Sequence, residues 1–258
     1  MSLAFCTLGS GPELVLLHGW GMHSAVWLGF AERLAERYRV YLLDLPGHGN
    51  SPYREERTLA EWAWSCLEVA PERAAWLGWS LGAQIALQAA LEQPHRIGAV
   101  LGVCGTPRFV QSHDWPHAMT LETLQQFISA SQQDHHKTLE RFMSLQVRGG
   151  DDSLETLRLL RERLRIKPEP LSEALDAGLE LLKGVDLRGD LPQLGCPSAW
   201  VFGERDTLVP AQTALSLAEW QSETQTRVIP GTAHAPFLSH PGVTLETISS
   251  LLESFGVA

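Results

Sequence analysis

AAWLGWSLGAQIALQAAL, residues 74–91, holds the most informative turn of the chain. An apolar run reaches Gly78, Ser80 follows, Gly82 comes two residues later, and an alanine-rich segment of helical character begins at once. Gly78-Trp79-Ser80-Leu81-Gly82 fits G-x-S-x-G. A sharp strand-to-helix turn holds such a serine in strained backbone geometry, and side chains at positions 78 and 82 would collide with neighbouring backbone. The turn lifts the Ser80 hydroxyl above a sheet. It also sets the Leu81 N–H at a helix N-terminus, where it can stabilise developing negative charge.

A serine hydroxyl is a poor nucleophile at neutral pH; it needs a base, and the base needs an orienting acid. On a strand–turn–helix scaffold the expected order is serine, acid, histidine. PSAWVFGERDTLVP (197–210) puts Asp206 just beyond an apolar run, and GTAHAPFLSHP (231–241) puts His234 in the loop beyond the next one. Spacings of 126 and 28 residues suit two separate strand ends. Glu204 and Asp44 are rival acids, and His240, before Pro241, is a rival base at a helix entrance. In LLHGWG (16–21), His18-Gly19 makes a tight turn. The Trp20 N–H is then the expected second oxyanion donor, and the Trp20 ring the wall of an acyl pocket.

Other apolar runs meet glycine or proline in the same way: LVLLHGWG (14–21), RVYLLDLPGHGNS (39–51), IGAVLGVCGTP (97–107) and TRVIPGTAHAPF (226–237). Runs this apolar, without strict alternation, suit strands covered on both faces. Helical patterns at 25–38, 58–69, 82–93, 211–220 and 243–255 separate most of them. The expectation is an α/β fold with a mainly parallel central sheet and helices on both faces. The alternation stops between about 108 and 186, where LETLQQFISASQQ, HHKTLERFMSLQV, SLETLRLLRERLRI and LSEALDAGLELLK all read as helices. Residues 1–107 and 187–258 are therefore expected to form the core, and 108–186 an inserted helical lid over the carboxyl edge of the sheet.

Composition bounds the function. The formal net charge is -10, which argues against a broad nucleic-acid or anionic-membrane surface. Cys6, Cys66, Cys104 and Cys196 lie far apart with no CxxC pair, as free thiols in a reducing compartment would. The first residues carry no signal-peptide pattern, and no apolar run approaches the ~18 residues of a membrane span, so a cytoplasmic protein is expected; a monomer is expected as well. His113, His117, His135 and His136 cluster without HExxH or a further ligand and are read as lid-surface histidines, with no metal site. No phosphate-cradling glycine motif is present, and the chemistry asks for no cofactor.

HGWG, DLPGHGNS, GWSLG, GERD and AHAPF together resemble the α/β-hydrolase superfamily over nearly the whole chain. LVLLHGWGMHSAVW, WLGWSLG, ERFMSLQ, GLELLKGVDLR and AHAPFLSHP are similar to the pimeloyl-[acyl-carrier protein] methyl ester carboxylesterases of biotin biosynthesis. That resemblance implies an α/β-hydrolase fold and hydrolysis of a methyl ester on a carrier-borne pimeloyl chain. It implies Ser80, Asp206 and His234 as the triad, Trp20 and Leu81 at the acyl group, and Phe142, Met143, Ser144, Leu145 and Gln146 facing the substrate. It implies further that Lys137, Arg141 and Arg158 meet an acidic acyl-carrier protein, Lys137 replacing an arginine; Leu154 stands where another arginine would be expected. Residues 137–167 carry eight basic and five acidic side chains, against the acidic whole. Such a lid could steer an acidic partner, or could be a solvated face laced with i,i+4 pairs. Two other readings stay open: a broad short-chain esterase or C–C bond hydrolase on the same fold, and a non-catalytic binding protein that keeps the scaffold.

Overall fold

Strands form where the apolar runs are dense enough to be covered on both faces. The computed structural model describes residues 2–257; Met1 and Ala258, the outer ends of the expected core ranges, lie outside the described residues. Seven strands make one sheet: β1 (Phe5–Leu8), β2 (Glu13–Leu17), β3 (Arg39–Leu43), β4 (Ala74–Trp79), β5 (Ile97–Val103), β6 (Ser198–Gly203) and β7 (Gln225–Ile229). Their order is β1-β3-β2-β4-β5-β6-β7. Every pairing is parallel except β1 with β3. All residues of β4 and β6 are buried, as unalternating apolar runs require.

β1 is not announced by an apolar run. Its four residues, FCTL, lie on the sheet edge and are largely exposed. It is tied in by a turn at Gly9 and Gly11 (φ +73° and +123°), where a Cβ would sit 2.3 Å from the Ala35 carbonyl oxygen and 2.5 Å from that of Arg37.

The helices are α1 (Phe30–Leu34), α2 (Leu59–Leu67), α3 (Leu81–Glu92), α4 (Leu121–Gln133), α5 (His135–Gln146), α6 (Ser153–Leu164), α7 (Ser172–Gly184), α8 (Thr213–Trp220), α9 (Pro236–Ser239) and α10 (Pro241–Ser254). The pattern at 25–38 forms no single helix. A 3-10 turn at Ser24–Trp27 ends before Gly29, whose φ of +83° breaks the chain's course before the five residues of α1. α4 to α7 fall between β5 and β6. The chain leaves and rejoins the sheet side by side, with Arg108 bridging Asp186 in antiparallel fashion and their side chains paired at 2.5 Å. Thr120 and Asp134 cap α4 and α5 by accepting N–H bonds from Thr123 and Lys137. Seven of the nine tryptophans are fully buried. Two of them, Trp27 and Trp79, pack on Phe237 with ring centroids 4.2 and 5.1 Å apart, giving the loop after β7 an aromatic floor. Among the described residues no helix is long and apolar enough to cross a membrane.

Candidate active site

The β4–α3 turn is built by exclusion. Ser80 has φ +56° and ψ −118°, a region that few non-glycine residues enter. A Cβ on Gly78 would lie 2.2 Å from the Gly82 carbonyl oxygen, and one on Gly82 would lie 2.6 Å from that of Leu17. The Ser80 N–H donates to the Val103 carbonyl at 3.0 Å, which ties the turn to the end of β5. Leu81 opens α3, so its N–H has no acceptor inside the helix. A Cβ on Gly19 would lie 3.2 Å from the Ser80 Cβ; the loop that carries the Trp20 N–H therefore runs against the serine.

His18 fixes that loop. Its Nδ1–H donates to the Gly19 carbonyl at 2.8 Å, while its Nε2 accepts the Leu45 N–H at 2.9 Å. Burial, with the neighbouring His48 adding to it, holds the His18 imidazole far below its usual range, so it is neutral, as this pairing needs.

Asp206 and His234 meet from successive strand ends. His234 Nδ1 lies 2.7 Å from Asp206 Oδ2. A carboxylate only accepts, so Nδ1 carries the proton and Nε2 the lone pair. Asp206 Oδ1 accepts N–H bonds from Leu208 and Val209 at 2.8 and 3.1 Å, which fixes the carboxylate plane. The approach of the two loops depends on Gly203, where a Cβ would lie 2.0 Å from the Ala233 carbonyl oxygen. The Trp79 indole N–H donates to the His234 carbonyl at 2.7 Å. Ser80 Oγ and His234 Nε2 are both buried and neither has a hydrogen-bond partner. The hydrogen bond expected between them is not formed in this state, and catalytic bonds often tighten only with substrate bound.

The rivals are otherwise engaged. Glu204 is exposed and its Oε2 accepts the Gly231 N–H at 2.9 Å. Asp44 is fully buried and holds Lys167 Nζ at 2.9 Å together with the Ser24 and Asn50 N–H groups. Burial alone would raise its carboxyl; the hydrogen bonds from Lys167, Asn50 and Ser24 outweigh burial and hold it at about 2. His240 stands at the entrance of α10, where its backbone carbonyl accepts from Thr244.

The helices of 108–186 close over the site. Trp20 is fully buried; its indole N–H donates to the Leu175 carbonyl of α7 at 2.8 Å, and its ring meets Phe142 of α5 edge-on at 4.9 Å. α5 splits the five residues expected to line the substrate: Phe142, Met143 and Gln146 are buried, Leu145 is half-buried, and Ser144 is exposed with its hydroxyl donating to the Glu140 carbonyl. Ser80, Asp206 and His234 are 5, 5 and 1% exposed, so the site is sealed. On the outer face Arg158 is held by Glu155 and Glu162 and Arg161 by Glu140, whereas Lys167 turns inward to the buried Asp44. Arg141 stacks over Phe127 at 5.1 Å. Lys137, Arg148 and Arg165 are exposed and have no acidic partner among the described residues. His135 and His136 pair instead with Asp176 and Glu169.

Cys104 is the neighbour that sequence reasoning passed over. It follows β5 with φ +45°, is fully buried, and its thiol donates to the Ala233 carbonyl at 3.7 Å. Only its place at the carboxyl end of an apolar run could have singled it out.

A family model described as the alpha/beta hydrolase fold matches residues 12–241. The chain is 41% identical over 254 residues to a pimeloyl-[acyl-carrier protein] methyl ester esterase of Methylococcus capsulatus, covering 98% of this chain and all of that one. It is 43% identical over 249 residues to the esterase so named from Xanthomonas oryzae pv. oryzae (96% and 97% covered). To that of Aeromonas salmonicida it is 41% identical over 250 residues (96% and 98%). Among solved structures, an esterase from Exiguobacterium antarcticum matches with a TM-score of 0.86 at 23% identity over 97% of this chain and 95% of that one. A bromoperoxidase from Bacillus anthracis matches at 0.85 and 20% identity, with the same coverage. At those identities the likeness is one of fold.

Proposed function

This chain belongs to the α/β-hydrolase fold family and, within it, to the pimeloyl-[acyl-carrier protein] methyl ester esterases; on that premise we propose that it hydrolyses the methyl ester of pimeloyl-[acyl-carrier protein], with Ser80 as nucleophile, His234 as base and Asp206 as the orienting acid. The observation that carries this reading is the buried 2.7 Å contact between His234 Nδ1 and Asp206 Oδ2, which leaves Nε2 free to accept a proton.

Ser80 attacks the ester carbonyl as His234 Nε2 takes its proton, and Asp206 stabilises the imidazolium. The N–H groups of Leu81 and Trp20 receive the oxyanion; losing one such donor costs ~100- to 1000-fold in rate. Methanol leaves with the proton from His234, and water repeats the sequence to release the acid. Phe142 and Trp20 supply the apolar wall for the acyl chain. A groove of about 310 Å³ reaching Met143 is lined by Arg161, Arg165 and Lys167 and also by Glu140 and Glu169; with Arg161 held by Glu140 and Lys167 by Asp44, Arg165 is its cation without an acidic partner among the described residues and the one open to an acidic carrier. Lys137 and Arg141 extend that charge along α5, whereas Arg158, held by two glutamates, adds little to it.

The test compares carrier-bound pimeloyl methyl ester with free p-nitrophenyl esters and vinylogous diketones, using the native chain and Ser80→Ala, and asks whether each restores biotin synthesis in cells lacking their own pimeloyl ester hydrolase. The native chain is expected to prefer the carrier-bound ester and to rescue growth, and Ser80→Ala to fold and do neither. Preference for short esters or diketones would overturn the substrate assignment, and undiminished turnover by Ser80→Ala the nucleophile.

A further inference from the structure

We propose that Cys104, Asp206 and His234 form a binding site for a soft divalent cation, Zn2+ or Cd2+, and that its occupancy switches hydrolysis off. One sulfur, one carboxylate oxygen and one imidazole nitrogen from these residues lie within 4.8 Å of one another, all three side chains buried. No other group of three such side chains among the described residues converges in this way.

The donor set selects the ion. Thiolate, imidazole and carboxylate are the ligands of zinc-group cations, with bonds of about 2.0 to 2.3 Å and a tetrahedral geometry that leaves one position for water. Magnesium and calcium prefer all-oxygen shells and gain nothing from a thiol. Cys104 is placed for this by its backbone: its N–H donates to the Val201 carbonyl at 2.7 Å, which anchors it beneath the histidine loop. Hydrolysis by a serine uses no thiol. Burial, with the Asp206 carboxylate adding to it, raises the Cys104 thiol well above its ordinary range, so on its own it is neither a nucleophile nor a ready target for alkylation.

The protons balance. The cation takes Sγ, Nδ1 and a carboxylate oxygen, and the thiol proton goes to solvent. The proton that sat on Nδ1 ends on Nε2, so the imidazole stays neutral. Two anionic ligands cancel the dipositive charge, which suits a buried site. Nε2 no longer has a lone pair for Ser80. The binding itself does not depend on the catalytic assignment; the loss of activity rests on His234 being the base.

The experiment titrates the purified chain with Cd2+, following the ultraviolet thiolate-to-cadmium band, and separately measures ester hydrolysis with Zn2+ against each variant's own metal-free rate. The native chain should show a band that Cys104→Ala lacks, and its inhibition should be reversed by a chelator. Cys104→Ala should need at least about tenfold more Zn2+ for the same inhibition, as loss of a donor weakens a metal site at least that much. Ser80→Ala should keep the band. Cys104→Ser, which preserves the volume but offers a hard oxygen, should behave like Cys104→Ala and guards against a folding defect in the smaller variant. Equal bands and equal inhibition in native and Cys104 variants would overturn the site. A Cys104-dependent band with an undiminished rate would count against His234 as the base and leave the site standing.

Discussion

The main-chain N–H of His234 donates to the carbonyl of Gln146 at 2.9 Å, so the histidine hangs from the last turn of α5. Nearby, the Asp151 N–H donates to the Gly231 carbonyl at 2.9 Å, and Arg205, next to Asp206, reaches the Gly149 carbonyl at 3.2 Å and the Asp151 carboxylate. The α5–α6 turn and the histidine loop are thereby one piece. This end of the helical segment cannot lift without pulling on His234.

Arg205→Ala and Asp151→Ala should each lower kcat more than they change KM, with melting temperature little altered because so exposed an ion pair contributes little to stability. In a double-mutant cycle the second substitution should add little to the first. Steady-state kinetics of the four proteins checks this; fully additive losses would show that the pair does not act as a unit.

Gly203→Ala drives a Cβ to within 2.0 Å of the Ala233 carbonyl oxygen and wedges the acid loop from the histidine loop. We expect ~100-fold or greater loss of kcat/KM, since an ångström of misplacement costs that much, with about 1–3 kcal/mol of stability lost to overpacking. Gly98→Ala, whose Cβ would meet nothing nearer than 3.6 Å, is the matched control and should be tolerated.

Asp206→Asn should lower kcat by about 10⁴-fold through loss of the correct histidine tautomer. Glu204→Gln, on an exposed carboxylate turned to Gly231, should stay near native. Comparable losses in both would reopen the choice of acid.

Lys167→Met leaves Asp44 as a buried charge without its cation and should cost about 3–5 kcal/mol in chemical denaturation. The pH dependence has a definite sign. Asp44 titrates at about 2 in the fold against about 3.9 unfolded, so its contribution of about 2.6 kcal/mol is fully present above about pH 5 and is lost as pH falls through about 2. Asp44→Asn should flatten that part of the acid limb, and an unchanged limb would show that other carboxylates set it.

Five of the seven strands, β2 to β6, are legible because buried parallel strands read as apolar runs that stop at glycine or proline, and the edge strand β7, largely unburied, is legible from the Val-Ile-Pro-Gly end of its run. β1 is hidden because an exposed edge strand of four residues has no such run. The pattern at 25–38 has helical spacing, but Gly29 overrides it locally. Asp206 and His234 could be picked from their places after two strands, and their side chains stand 2.7 Å apart. The carbonyl of Gln146, the reach of Arg205 and the pairing of Lys167 with Asp44 across 123 residues leave no periodic trace. Main-chain donors and long-range ion pairs depend on tertiary placement, which local pattern does not encode.

The closure over Ser80 bears on the second half of the reaction as much as on the first. On the proposed reaction an acyl group on Ser80 is cleaved by water, and with Ser80 and His234 only 5 and 1% exposed that water has to reach them through the covering helices. On that reading the passage that lets methanol out also has to let the hydrolytic water in, so the packing of α5 and α7 on Trp20 would bear on both halves of the cycle.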